Sequence, residues 1–267
     1  VLPDHRLRHG DEGAAVTWAA ILSPPSPEVT AVLAREALEA YRSADALEPA
    51  VVGELRALTV RPPEGPLAAW GEEIATATGF PLFGTGLFAP IYPALLWNGA
   101  RLDAACSDPD GAPLLAAWAA ADADADAAAV PPRLDRIASA LAAGRRVRRL
   151  AAELLASGGA PAAVPTLSTL AAATAAALAG PAQGDGLARV LDLAASLAVL
   201  TPGPEHRASS ALWTGHGAAS GWLAATLPAG AITPMPGSVG HTLSVAAGVR
   251  LSGTDAWRAA GGPEGHR

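Results

Sequence analysis

The chain has 267 residues, about a quarter of them alanine, with 51% hydrophobic, 4% aromatic and 16% charged residues. All 18 basic residues are arginine, which excludes a Schiff-base lysine, a lysine general base and a phosphate-loop lysine. The net charge of −7 gives no surface-wide basic field for nucleic acid, and the single cysteine, Cys106, excludes an intrachain disulfide and a cysteine-cluster zinc site.

The predicted elements follow in chain order. The first eleven residues carry both charge signs and do not read as a signal peptide, and Val1 in place of methionine suggests a trimmed or processed chain. Ser26-Pro27-Glu28 reads as a helix start, with Ser26 as the cap, and Val29, Val32, Leu33, Leu38 and Tyr41 continue at helical spacing. Helices are expected over 49–58 and 67–78, separated by the breaker Arg61-Pro62-Pro63-Glu64-Gly65-Pro66. The segment 79–86, rich in Gly and Phe, must turn, and 89–105 returns to an apolar helix entered through Pro90 and Pro93.

Asp108-Pro109-Asp110-Gly111 is a turn, and 114–126 is helical. Pro131-Pro132 opens a helix to about Leu155, closed by Ser157-Gly158-Gly159. Its run Arg145-Arg146-Val147-Arg148-Arg149 reads as a solvated helix face. The charge-free stretch 166–180 is the best membrane candidate, but it is shorter than the ~18–20 residues a span needs and reads as a buried helix. Helices over 187–200 and 209–227 follow, then a Gly/Pro-rich tail, 228–267, with one short helix at 242–249. The expected fold is all-α: one large domain over 1–267 with roughly ten helices, cytoplasmic, with no membrane span.

Several motifs lack the parts their chemistry needs. Asp122-Ala-Asp124-Ala-Asp126 begins like a calcium loop, but Ala127 and Arg133 stand where glycine and glutamate are required. Gly84-Thr85-Gly86 follows no strand and lacks the rest of a dinucleotide fingerprint. Gly237-Ser238-Val239-Gly240-His241 is better explained by turn chemistry than as a nucleophile elbow. His5, His9 and His266 lie near the termini and read as solvated. No histidine pair stands at ligand spacing, so neither a metal nor another cofactor is expected.

Asp103 and Cys106 stand three apart at the end of an apolar helix and share a face, with Asp108 in the following turn. A carboxylate beside apolar surface has a raised pKa and can serve as a general acid or base. Trp97 and Asn98 precede them by about a turn and a half, and His216 lies between glycines beside Trp213. The plain alternative is a helix C-terminus with ordinary polar residues.

The run from Tyr92 through Trp97-Asn98-Gly99 to Asp103, Cys106 and Asp108 resembles a helix of the MmgE/PrpD family. Four other blocks resemble that family in the same order: Ser26-Pro-Glu-Val-Thr, the 157–180 loop and helix, Leu212-Trp213-Thr214-Gly215-His216-Gly217-Ala218-Ala219-Ser220-Gly221, and Ala229-Gly230-Ala231-Ile232-Thr233-Pro234. The resemblance implies a helical domain, a homodimer, and cofactor-independent acid–base chemistry on small polycarboxylates. The chain departs from the family at its basic positions. Asp103, Ala160 and Trp213 stand where the family has histidines, Cys106 where it has an aspartate, and Ser210 near its lysine; the family's smaller lid domain is not matched.

Anionic substrates need basic partners, so these departures point to a less charged substrate. The first functional expectation is a repurposed lyase or isomerase acting by dehydration, isomerisation or cyclisation on a relatively apolar small molecule in specialised biosynthesis. Asp103, Cys106 and His216 are its catalytic candidates, and Trp97, Asn98, Asp108, Ser210, Trp213 and Thr214 its substrate-binding candidates. The second is a non-catalytic binding or assembly subunit that keeps the helical fold.

Overall fold

The structure is a computed structural model that describes residues 25–44, 63–105, 111–123, 130–159, 164–180, 186–199 and 211–262. These residues form ten helices and one short hairpin. The helices are α1 (Pro27–Ser43), α2 (Pro66–Ile74), α3 (Ile91–Ala105), α4 (Gly111–Ala123), α5 (Val130–Ser157), α6 (Val164–Ala179), α7 (Leu187–Leu197), α8 (Ala211–Thr226), α9 (Ser238–Ala247) and α10 (Gly253–Ala259). Strands β1 (Phe80–Leu82) and β2 (Leu87–Ala89) pair antiparallel between α2 and α3, with Pro81 opposite Phe88. The all-α expectation holds at this level. The expected helix over 49–58 and the turn at 108–110 lie outside the described residues.

The molecule is built around α6. From Thr166 to Gly180 every residue is buried, and α4, α5, α7 and α8 surround the helix. Alanine allows this, because helices lined by short side chains approach closely and keep high helix propensity. Its hydroxyls are satisfied within protein: Thr174 donates to the Leu170 carbonyl at 2.8 Å and Thr166 to that of Val199 at 3.2 Å. The stretch with the most membrane-like sequence is therefore a core helix. Among the described residues, no helix is long and apolar enough to cross a membrane.

Several boundaries differ from the sequence expectation. Ser26 holds the cap position of α1, but its hydroxyl donates to the Glu28 carboxylate at 2.8 Å rather than accepting a backbone N–H. The second described helix ends at Ile74 instead of Thr78, because the Thr76 N–H donates to the Phe88 carbonyl at 2.7 Å and extends the hairpin. The Gly- and Phe-rich segment does turn, with Gly84 and Gly86 at φ of 77° and 74°. The tail holds two helices rather than one. The first starts at Ser238, and the second begins with a capping box in which Ser252 and Asp255 satisfy each other's backbone N–H groups. Arg146 is not a solvated helix-face residue: it donates to Glu36 at 2.7 Å and to the Ala260 carbonyl at 3.1 Å.

Candidate functional site: the α3–α4–α8 junction

Glycine sets how closely α3 and α8 cross. A Cβ on Gly99 would overlap the backbone of Gly215, and one on Gly215 would overlap the Leu96 carbonyl. The two backbones therefore touch with no side chain between them. Farther along α8, Gly217 and Gly221 face the opposite way, against Ser168 and the Ala172–Ala173 backbone of α6. Helix α8 is thus wedged between α3 and α6 by glycines on both sides.

At this crossing the start of α8 meets the end of α3 and the start of α4. The Thr214 methyl and the Leu102 side chain both abut Gly111. Asp103 lies on α3 one turn beyond Gly99, next to Leu102. The backbone thus brings the segments bearing Asp103 and Thr214 to one junction. Cys106, Asp108 and Ser210 lie outside the described residues.

His216 belongs to another surface. It is two residues from Thr214, or about 200° around a helix. Its Nε2 lies 3.4 Å from the Leu197 carbonyl at the end of α7 and 3.3 Å from the Ser220 hydroxyl. A protonated Nε2 donates to the carbonyl, and a bare one accepts from Ser220. His216 therefore faces α7, away from Thr214. Trp213 is half-buried on the same turn.

Trp97 and Asn98 have structural partners. Trp97 is fully buried against Gly71, and its indole N–H donates to the Leu67 carbonyl at 2.8 Å, docking α2 on α3. The Arg101 guanidinium lies over its ring, 5.7 Å from the centroid. Asn98 is also fully buried. Its Oδ1 accepts the Phe83 N–H at 3.0 Å and its Nδ2 donates to the Pro81 carbonyl at 2.9 Å. The amide clasps the hairpin and has no free end directed at a ligand. These two residues position the elements around the junction; they are not exposed substrate contacts.

No family model, curated protein or solved structure matches the chain. The functional reading therefore rests on the chain's own chemistry. Among the described residues, no three His, Cys, Asp or Glu side chains gather as a metal would require.

Sequence reasoning passes over Asp192. This carboxylate is buried in α7, where Oδ1 accepts the Thr30 hydroxyl at 2.8 Å and the Val239 N–H at 3.1 Å, and Oδ2 accepts the Gly237 N–H at 3.0 Å. The one signal in the sequence is an aspartate set between Leu191 and Leu193 in the helix Leu187–Leu197. Asp192 caps the start of α9 and joins it to α1 and α7, a structural task that leaves no oxygen for chemistry.

Proposed function

We propose that the chain is a helical domain of MmgE/PrpD type that carries out a cofactor-independent lyase or isomerase reaction on a small molecule of low charge. The reaction centre is the α3–α4–α8 junction. Asp103 is the acid–base group: its carboxylate takes a proton from a carbon activated by a neighbouring carbonyl and returns it to the product or leaving group. Thr214 supplies a hydroxyl for a polar handle of the substrate. His216, turned toward α7, is left out of the chemistry, and Trp97 and Asn98 act by holding the hairpin and α2 in place.

The supporting observation is the Gly99–Gly215 crossing. It draws the residues after Gly99 and those before Gly215 together without intervening side chains. Two separated segments that share no charge pairing in sequence thereby converge. Neutral or acidic residues at the family's basic positions, Asp103, Ala160, Ser210 and Trp213, favour a substrate with few negative charges.

Proton abstraction leaves an isotopic trace, so the reaction can be detected while its substrate is still unidentified. The protein is incubated in D2O with a fractionated metabolite extract, and mass spectrometry seeks compounds that gain deuterium or change. Wild type is expected to label at least one compound, and Asp103→Asn none. Equal labelling by both proteins removes Asp103 from its role.

A second reading, a non-catalytic assembly subunit, is favoured by the structural use of Trp97, Asn98 and Gly215 in helix packing. It expects no labelling by wild type and a stable homodimer by sedimentation.

A further inference from the structure

We infer that residues 251–262, with α10 at their centre, form a charge-latched strap that lifts from α1 and α5 as a unit while the rest of the fold stays closed. The strap has little apolar anchorage. Leu251 and Ala256 are its buried apolar residues, and α10 has only seven residues. A helix that short is not stable in isolation, so it holds its shape only while docked.

Polar contacts join the strap to α1 and α5. The Arg35 guanidinium of α1 sits over the Trp257 ring, 4.4 Å from its centroid. Arg146 of α5 bridges Glu36 of α1 to the Ala260 carbonyl at the end of α10. One carboxylate therefore holds the arginine that holds the strap. The charged groups around the strap are Glu28, which abuts Gly253, together with Arg35, Glu36 and Arg146; Asp255 and Arg258 belong to the strap itself and pair at 3.2 Å. Partly exposed pairs of this kind weaken as salt rises.

The strap's own fold also carries an uncompensated penalty. The Trp257 indole N–H is buried, and among the described residues nothing accepts it. Gly262 closes over that nitrogen so tightly that a Cβ there would overlap the indole. A short helix and a salt-sensitive clasp together set a low threshold for opening.

Hydrogen exchange on the full chain tests the strap. At low salt, amides in 251–262 are expected to exchange at least about tenfold faster than those of α6, with the gap widening as salt is added. Glu36→Gln should speed the strap by roughly another tenfold, with the strap still the first segment to open, well ahead of α5 and α6. Gly262→Ala, which drives a methyl into the strap's own Trp257 indole, should speed exchange within 257–262 while Glu36 and Arg146 stay paired. Exchange of 251–262 at the rate of α5 in either protein, or a strap rate that Glu36→Gln leaves unchanged, would overturn the inference. So would global unfolding of Glu36→Gln, because the clasp would then hold the core and not the strap.

Discussion

Thr30 on α1 donates its hydroxyl to the Asp192 carboxylate on α7 at 2.8 Å, across 162 positions of sequence. The same carboxylate accepts two backbone N–H groups at the start of α9. Three elements therefore meet on one buried side chain. Asp192→Ala would strand the Gly237 and Val239 N–H groups and the Thr30 hydroxyl away from water. Each stranded group costs about 1–3 kcal/mol, so a loss of roughly 3 kcal/mol or more is expected in urea denaturation. Thr30→Val keeps the shape and strands no N–H group, and should cost only about 1–2 kcal/mol.

The glycines of α8 give a second prediction. Gly215→Ala drives a methyl into the Leu96 carbonyl, and Gly221→Ala drives one into the Ala172–Ala173 backbone. Backbone atoms cannot rotate aside as a flexible side chain can. Each change should cost about 2–4 kcal/mol, at or above the usual overpacking range. Gly230→Ala, with nothing near its would-be Cβ, should stay within ~0.5 kcal/mol of wild type. Thermal melts of the three variants check the ranking.

Asn98 gives a third. Its amide is the buried link between α3 and the hairpin, so Asn98→Ala leaves the Phe83 N–H and the Pro81 carbonyl without that partner. A loss of about 2 kcal/mol is expected. Because Phe83 also packs edge-on against Trp118, at 6.1 Å between ring centroids, the change should alter tryptophan fluorescence before global unfolding. A substrate-contact role for Asn98 would instead leave stability intact.

The sequence and the structure agree where periodicity and composition point the same way. The 166–180 run is charge-free, too short to span a bilayer and rich in alanine, and it is the core helix α6. The hidden features depend on contacts between distant segments. Trp97 and Asn98 look like pocket residues beside Asp103, yet α2 and the hairpin fold back over them and take their polar atoms. Asp192 looks like a stray carboxylate between two leucines until Gly237, 45 positions later, returns to it. The strap helix escapes a sequence reading because its capping box uses aspartate at the third position and its apolar stripe is only a residue or two wide. Thr214 and His216 are neighbours in sequence and read as one site; helical geometry sets them on different faces.

The Glu36 clasp carries the last prediction. Burial pushes the Glu36 carboxyl upward, but hydrogen bonds and positive charge from Arg146 and Arg35 outweigh it and hold the group below the usual carboxylate range. A group whose pKa is lower in the folded state adds stability above its unfolded value, near 4.5, and loses it as pH falls through the lower folded value. At about pH 7, wild type should therefore have a higher urea midpoint than Glu36→Gln, and by about pH 3 the gap should narrow or close. Asp255 is lowered as well: burial raises it, but the Ser252 hydrogen bonds and Arg258 prevail. Its titration is common to both proteins, so the difference between their midpoints isolates Glu36. A gap that widens on acidification would mean that the folded carboxyl lies above its unfolded value, and that Arg146 does not hold it as an ion pair.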